Sequence, residues 1–320
     1  MIKSQKEILS MWDKDENLMV SISCITFNHE KHIKRALEGF LSQETKFRYE
    51  ILIADDASTD KTATIIKEFE ILYPEIIFPI YRKINTFKNE YQPHQANFER
   101  ARGQYLALCD GDDYWNNSLK IELQLQAMIK YKSSVSFHGV KIYHSKLNYS
   151  FEKIPSSTIK EYSMNEIIFY GHKLYTSTVS TIIKTSIVKN LPDFYSNAPT
   201  EDHYLLILGS MNKKALFLPN VMAVYSIYSP NSWHSNPNLS EHHINNIKVF
   251  FSFLIFLKFS KVKSSFFILI KLCELFLKYL ILKNDYLKKI IIKKNINYKL
   301  LNNIQKKIVD DLVDTKIKND

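Results

Sequence analysis

Apolar positions over residues 19–131 switch between two periods, which predicts strands that alternate with helices. The strand candidates are short apolar, β-branched runs at residues 19–26, 49–54, 76–81 and 105–109. The helix candidates lie at residues 33–41, from residue 61, at 95–102 and from residue 118 to about 131. This order is typical of βαβ units and predicts an α/β fold, with a mostly parallel sheet and helices on both faces.

The second half of the chain keeps strand patterns until about residue 240 and then changes character. Strands are predicted at residues 134–143, 178–183, 215–218 and 222–227, with a helix near 201–210. From residue 241 on, Phe, Leu, Ile and Lys dominate at helical spacing, without Gly or Pro. We therefore predict an α/β domain over residues 1–240 and a basic, amphipathic helical extension over residues 241–320.

Three polar clusters directly follow predicted strands, at residues 26–29, 55–60 and 110–113. In open α/β sheets the carboxyl ends of parallel strands meet at one edge, and ligands bind there. We therefore expect the three clusters to form one site.

The cluster at residues 110–113, DGDD, crowds three carboxylates whose charges repel each other. Asp110 and Asp112 form an Asp-x-Asp pair, whose oxygens suit one hard divalent cation, Mg²⁺ or Mn²⁺, with open positions for phosphate. Asp113 has two candidate roles, capping the next helix or binding a sugar hydroxyl. The simpler alternative is a solvated acidic turn, but a second acidic turn at Asp55 and Asp56, one βα unit earlier, favours the metal site.

The charge of the chain lies almost entirely in its last quarter. The net charge is +10, and residues 241–320 contain 16 Lys, no Arg and 7 acidic residues. A nucleic-acid-binding protein is disfavoured, because these lysines alternate with Phe and Leu at helical spacing and no DNA or RNA motif is present. A dinucleotide-dependent dehydrogenase is disfavoured as well, because no Gly-x-Gly-x-x-Gly follows the first strand.

Cysteine usage and the chain ends predict a cytoplasmic protein. The three cysteines are odd in number and far apart, which indicates a reducing compartment. The first 18 residues contain no signal-peptide apolar stretch, and the apolar run at 249–257 is too short to span a bilayer. Two interpretations of residues 241–320 stay open. One is peripheral contact with the inner face of the cytoplasmic membrane; the other is packing on the main domain or on a second copy in a homo-oligomer.

Four motifs carry a resemblance to a known family. They are VSISCITFNHEKHI, EILIADDASTDKT, GQYLALCDGDDYW and TEDHYLL, spread over about residues 18–235. In this order they resemble the family 2 glycosyltransferases of the GT-A fold, a nucleotide-diphospho-sugar transferase fold. Because Tyr-Trp follows the acidic motif, the chain is most similar to the bacterial branch that modifies cell-surface polysaccharide.

The resemblance implies an inverting, metal-dependent glycosyltransferase. It would move a sugar from a nucleoside diphosphate, most often UDP, to a hydroxyl of a glycan or lipid-linked glycan in lipopolysaccharide, capsule or similar synthesis. The cation, Mn²⁺ or Mg²⁺, would stabilise the leaving diphosphate, while a carboxylate would take the proton of the acceptor hydroxyl. The implied donor-binding residues are Thr26, Asn28, Asp55, Asp56, Asn97, Asp110 and Asp112. Asp110 and Asp112 also hold the metal, Asp202 is the general base, and Glu201 assists it.

One motif departs from the family pattern. The family's last loop often contains Tyr-Arg-x-His, whose His contacts the metal or the diphosphate, whereas residues 225–228 read YSIY. Our hypothesis is that His234 replaces this metal ligand; the alternative is a surface histidine. The missing Arg and His also keep open a second function, a catalytically degenerate sugar-nucleotide-binding or scaffold protein.

Overall fold

The structure, a computed structural model, describes residues 2–13, 17–86, 94–171, 174, 176–198, 200–228 and 239–256, and positions 268, 269, 271, 272 and 275. Residues 197 and 239–244 are described by their backbone alone. The chain divides into two units. The first contains Met1–Ser196 and Thr200–Pro237, and the second contains Asn197–Pro199 and Asn238–Asp320. The predicted domain boundary near residue 240 lies close to this division.

The described residues of the first unit form one ten-stranded sheet. Its strands are β1 (Val20–Thr26), β2 (Tyr49–Asp55), β3 (Ile77–Tyr81), β4 (Tyr105–Asp110), β5 (Tyr114–Trp115), β6 (Val135–His144), β7 (Tyr149–Lys153), β8 (Lys160–Tyr162), β9 (Ile182–Lys184) and β10 (Ala215–Ile227). The order across the sheet is β3, β2, β1, β4, β9, β6, β10, β5, with β7 paired to β6 and β8 paired to β10.

The long strands of this sheet point the same way. Strands β3, β2, β1 and β4 pair in parallel, as do β6 and β10. The short strand β9 joins the two blocks and runs antiparallel to both β4 and β6. Because the direction reverses twice across β9, β6 and β10 run in the direction of β4. The carboxyl ends of all these strands therefore share one edge, which confirms the predicted α/β architecture.

Helices connect the strands where the sequence predicts them. The described helices are α1 (Gln5–Met11), α2 (Ile33–Leu41), α3 (Thr62–Leu72), α4 (Gln95–Arg100), α5 (Lys120–Lys130), α6 (Met164–Tyr170), α7 (Thr185–Val188), α8 (Glu201–Gly209) and α9 (Leu239–Phe256). In α2 the predicted apolar stripe, which includes Ile33, Leu37 and Phe40, is fully buried.

Two predicted strands differ from the structure. Residues 178–183 begin as a 3₁₀ turn, Thr178–Ser180, because the hydroxyls of Ser180 and Thr181 donate to the carbonyl of Ser177 and compete with strand pairing. The runs at 215–218 and 222–227 belong to one strand, β10. Its register shifts between Leu218 and Val221 take up Pro219, which cannot donate to the ladder.

A buried lysine lies behind the acidic loop. Lys120, at the start of α5, has its Nζ 4.3 Å from the centroid of the Trp115 ring and donates to Gln124 Oε1 at 2.7 Å. Burial lowers the pKa of Lys120 to about 7. The Trp115 ring packs edge-on against Phe40, which ties the residues after the acidic motif to α2.

In the second unit, α9 is the one long helix that the structure describes. Phe251 and Ile255 are exposed on it, while Phe250 and Leu254 are buried, so its apolar residues cover more than one face. Among the described residues, no helix combines the length and the apolar character that crossing a bilayer requires.

Candidate active site

The ends of β1, β2 and β4 bring the three predicted polar clusters together. In the parallel registers Thr26 is paired with Asp55, and Ile25 is paired with Asp110. The prediction that the clusters meet at one edge is therefore confirmed. Thr26 is 3% exposed, and among the described residues its hydroxyl has no hydrogen-bond partner. A buried hydroxyl in this state is suited to bind a ligand, because it costs free energy if left without one.

The loops after β1 and β2 are joined by hydrogen bonds. Asn28 has a left-handed backbone (φ 54°), which Asn tolerates better than most residues. Its N–H donates to Ser58 Oγ at 2.9 Å, and its side-chain oxygen accepts from Thr59 N at 2.8 Å. Ser58 in turn donates to Asp55 Oδ1. Asn28 and Asp55, both predicted to bind the nucleotide, are thus held as one unit.

The two aspartates of the second cluster have different surroundings. Asp55 is buried, and burial raises the pKa of its carboxyl above the usual range. Asp56 accepts hydrogen bonds from Thr86 N at 3.0 Å and from Arg82, which fastens the segment after β3 to the site. The Asp56 carboxylate is thus engaged by Arg82 and Thr86. Its contact with the donor stays a prediction.

The three carboxylates of the acidic loop, residues 110–113, lie close together but differ in burial. Oxygens of Asp110, Asp112 and Asp113 lie within 4.8 Å of one another. Asp113 is buried beneath the loop, where its Oδ1 accepts from Ser226 N of β10 at 2.7 Å. Burial, together with the nearby Asp112 and Asp110, raises the pKa of Asp113 well above its usual range. A raised pKa favours the protonated form of Asp113, which reduces the charge repulsion in the cluster. Asp113 does not cap the next helix, α5, whose N-cap residue is Leu119, and its contact with a sugar hydroxyl stays a prediction.

Gly111 allows the acidic loop to lie against β1. A Cβ at this position would lie 2.7 Å from Thr26 Oγ1 and 3.0 Å from His29 Nδ1. Only glycine fits here without moving the loop, so the Asp-x-Asp spacing depends on it.

His94 joins the acidic loop to the start of α8. Its Nδ1 lies 2.7 Å from Ser23 Oγ, its Nε2 lies 3.0 Å from Asp110 Oδ1, and Glu201 Oε2 is 3.8 Å from Nε2. Because an ionised Asp110 can only accept, Nε2 carries the proton. Burial lowers the pKa of His94, but Glu201 and the hydrogen bond with Asp110 raise it more, and the net shift is upward.

Two further carboxylates open α8, in the first turn after Thr200. Burial raises the pKa of both Glu201 and Asp202 to about 7, despite the opposing His94 beside Glu201. Asp202 Oδ1 accepts from His203 N at 2.7 Å, and among the described residues Glu201 Oε1 has no hydrogen-bond partner. A carboxylate with a pKa close to the working pH is suited to accept a proton from a hydroxyl.

The residues present fit a divalent cation. The donors at Asp110 and Asp112 are hard carboxylate oxygens, they are close together, and the third carboxylate is withdrawn into the protein. Such a site leaves coordination positions for phosphate oxygens.

The prediction that Asn97 contacts the donor is wrong. Asn97 is fully buried, and its amide donates to Ser23 Oγ and to the carbonyls of Cys24 and Leu52 at 3.0–3.1 Å. It therefore ties α4 to β1 and β2. His234, the predicted substitute metal ligand, lies outside the described residues.

Sequence reasoning missed two functional contacts, the links of His94 and Ser226 to the acidic loop. The only signal for the first was the polar stretch HQAN, residues 94–97, which precedes the fourth predicted strand. For Ser226 the sequence contains no such signal, since its contact depends on the register of β10 against β5 and β6.

The family model "Glycosyl transferase family 2" matches residues 21–191. An uncharacterized protein of Mycobacterium tuberculosis is 34% identical over 221 residues, which is 68% of this chain and 61% of that protein. The chain thus spans about three fifths of the length of the curated relatives it matches first. The poly(ribitol-phosphate) β-N-acetylglucosaminyltransferase TarS of Staphylococcus aureus is 22% identical over 208 residues, 64% of this chain and 35% of TarS.

Solved structures show the same fold. The crystal structure of TarS residues 1–349 with UDP-GlcNAc has a TM-score of 0.58 at 17% identity, and the match covers 74% of this chain and 66% of that one. The mannosyltransferase PcManGT of Pyrobaculum calidifontis, in complex with GDP-Man and Mn²⁺, has a TM-score of 0.56 at 12% identity and covers 96% of this chain and 88% of its own. The chain therefore belongs to glycosyltransferase family 2 and has a GT-A fold.

Proposed function

We propose that this enzyme transfers a sugar, with inversion, from a nucleoside diphosphate to a hydroxyl of a surface polysaccharide or of its lipid-linked precursor. One observation carries the proposal. His94 places the acidic loop and the carboxylate pair of α8 within one site, with Nε2 3.0 Å from Asp110 and 3.8 Å from Glu201. A diphosphate-binding group and a proton acceptor are the two parts that direct displacement requires.

Asp110 and Asp112 would hold Mn²⁺ or Mg²⁺. When bound, the cation supplies Lewis-acid stabilisation of the charge that develops on the diphosphate. Thr26, Asn28 and Asp55 line the neighbouring strand ends and would bind the nucleotide.

Asp202 acts as the general base. Its raised pKa near 7 keeps it basic enough to take the hydroxyl proton of the acceptor as the new bond to the anomeric carbon forms. Glu201, held beside His94, orients the acceptor and is a positioning group. Direct displacement needs no second carboxylate as nucleophile, and the product is therefore inverted.

For the donor we propose a UDP-sugar. The support is the similarity to TarS, whose structure contains UDP-GlcNAc. PcManGT contains GDP-Man, so a GDP-sugar is the alternative donor. The acceptor class rests on the name of TarS, which acts on poly(ribitol phosphate).

The experiment is a turnover assay with UDP- and GDP-sugars, Mn²⁺ and extracts of cell-surface glycan. We expect release of the nucleoside diphosphate with Mn²⁺, none with EDTA, and none from Asp202→Asn. The anomeric configuration of the product, read by NMR, tests inversion. A product that retains the donor configuration contradicts the mechanism.

A second candidate, a catalytically inactive sugar-nucleotide-binding protein, is favoured by the missing Arg and His at residues 225–228. It predicts that UDP binds with Mn²⁺ but that no donor is ever consumed. The same assay, together with calorimetric titration of UDP, separates the two functions.

For residues 241–320 we keep both hypotheses, peripheral contact with the cytoplasmic face of the membrane and packing within a homo-oligomer. Extraction of cells at high salt without detergent distinguishes an electrostatic attachment from a hydrophobic one. Sedimentation of the purified protein reports the oligomeric state.

A further inference from the structure

Four aromatic rings stack in a row near the turn of the β6–β7 hairpin. Phe151 and Tyr149 have ring centroids 5.8 Å apart, Tyr149 and His144 are 5.4 Å apart, and His144 and Tyr228 are 4.6 Å apart. Interplanar angles are 18° to 27°, so the rings are nearly parallel. We call these four side chains the aromatic row.

The aromatic row is packed against the protein at Phe151 and exposed at Tyr149. Phe151 packs against the hydrophobic core, whereas Tyr149 is 47% exposed at the start of β7. The turn between the strands is exposed as well, and Asn148 in it has a left-handed backbone (φ 50°). Of the four rings Tyr149 is exposed, while Phe151, His144 and Tyr228 are half-buried. The exposed ring of Tyr149 loses favourable burial unless a ligand covers it, so it marks the part of the aromatic row that is open to a partner.

This surface adjoins the acidic loop. Tyr228 follows the end of β10, where Ser226 donates its N–H to Asp113 and its hydroxyl to the carbonyl of Asp112. Across the same strand end, Ser145 donates to the carbonyl of Ile227 from both its N–H and its hydroxyl, at 3.1 and 3.0 Å. The aromatic row therefore begins two residues from the backbone that supports the metal-binding carboxylates.

Two positive charges lie beside the rings of the aromatic row that the structure describes. Lys146 Nζ lies 5.5 Å from the centroid of Tyr228, and Lys153 Nζ lies 5.4 Å from the centroid of Phe151. Within residues 135–153 the one acidic side chain, Glu152, is paired in register with Lys141. Because side chains alternate along a strand, Glu152 points to the face opposite Tyr149 and Phe151.

We propose that the aromatic row binds the acceptor, and that the acceptor is an anionic glycan. The exposed part of Tyr149 packs against the apolar C–H face of a pyranose ring. Lys146 and Lys153 pair with carboxylate or phosphate groups along the chain. This proposal rests on the proposed function, because continuity with the sugar-transfer site is what favours a glycan over a nucleic acid or a membrane.

The experiment measures binding of the full chain to fluorescent polymers in the presence of Mn²⁺ and UDP. The probes are polygalacturonate oligosaccharides and a phosphodiester-linked teichoic acid, compared with neutral dextran, poly(U) RNA and vesicles with anionic lipid. The variants are Tyr149→Ala and Lys146→Glu, both on the exposed turn side of the hairpin. Tyr131→Ala is the matched control, because Tyr131 is also exposed (39%) and has Lys130 Nζ 5.8 Å from its ring.

We expect the wild type and Tyr131→Ala to bind at least one anionic glycan, about tenfold more tightly than either hairpin variant does. Which of the two polymers binds identifies the acidic group as carboxylate or phosphate. UDP binding with Mn²⁺ should be equal in the wild type and the three variants. A wild type that does not bind UDP would count against the proposed function instead. Equal glycan binding by Tyr149→Ala, tighter binding of dextran, RNA or vesicles, or no glycan binding at all would overturn the proposal.

Discussion

Replacement of His94 by Ala removes the ring that connects Asp110 to Glu201. The bond from Nε2 to an ionised carboxylate is charge-assisted, and such bonds contribute about 1.5–3 kcal/mol. Asp110 Oδ1 then loses this partner, while Ser23 Oγ keeps its bond from Asn97 at 3.0 Å. We therefore expect the free energy of binding UDP with Mn²⁺ to weaken by about 2 kcal/mol, roughly 30-fold in Kd.

Two conservative variants separate the contributions of the two ring nitrogens. A Gln at position 94 can place its amide near the former Nε2 and still donate to Asp110, whereas an Asn places its amide near the former Nδ1 and faces Ser23. We expect His94→Gln to recover more affinity for UDP and Mn²⁺ than His94→Asn does. Turnover should fall further than binding in His94→Ala, because Glu201 also loses its neighbour at 3.8 Å.

Isothermal titration calorimetry of UDP with Mn²⁺ and the turnover assay give both quantities. Gln95→Ala is the control, because Gln95 is the first residue of α4 and its side chain donates to Glu99 at the surface. Thermal melts exclude unfolding as the cause of a lost signal. Unchanged Kd and unchanged kcat in His94→Ala, with Asn recovering as much as Gln, would refute the positioning role.

Three further predictions follow from the same geometry. Because the carboxyl of Asp202 must be ionised to accept a proton and its pKa is about 7, kcat should fall below pH 7, with about a tenth of the base form left at pH 6; a flat acid limb in the pH–rate profile would contradict this. Between pH 7 and 10.5 the unfolded chain keeps a proton on Lys120 that the folded chain lacks, so the free energy of unfolding should rise with pH. Urea unfolding at pH 7 and pH 9 measures this rise, which should be lost in Lys120→Met and kept in Lys130→Met. Gly111→Ala should weaken metal-dependent UDP binding by about tenfold or more with little change in Tm, since its Cβ would lie 2.7 Å from the Thr26 hydroxyl; wild-type affinity would contradict the close fit of the loop.

The fold could be predicted because its signals are periodic and local. Runs such as residues 19–26 and 105–109 are buried on both faces of a parallel sheet, so composition alone marks them, and parallel pairing then forces Thr26, Asp55 and Asp110 to one edge. The Asp-x-Asp pair proposed to bind the metal is visible in the sequence as a motif, and the base role proposed for the Glu-Asp pair comes from the resemblance to the family.

What the sequence could not predict depends on register and on helix phase. Asn97 on α4 and His94 just before it are three residues apart. The amide of Asn97 bonds to the carbonyl of Cys24 in the sheet, whereas the ring of His94 reaches Asp110. The side chain of Asp113 is buried and paired with the N–H of Ser226, a residue more than a hundred positions away in the chain. Such contacts are decided by packing between elements, which hydrophobic periodicity does not encode.

The central claim is that the strand ends gather Asp110 and Asp112 around a cation that holds a diphosphate. The most direct measurement is the affinity of UDP for the wild type and for Asp112→Asn, by calorimetry, with Mn²⁺ and with EDTA. The account predicts tight binding only for the wild type with Mn²⁺, and at least tenfold weaker binding in the other three conditions, about 1.4 kcal/mol or more. Equal UDP affinity in EDTA, or wild-type affinity in Asp112→Asn, would contradict it.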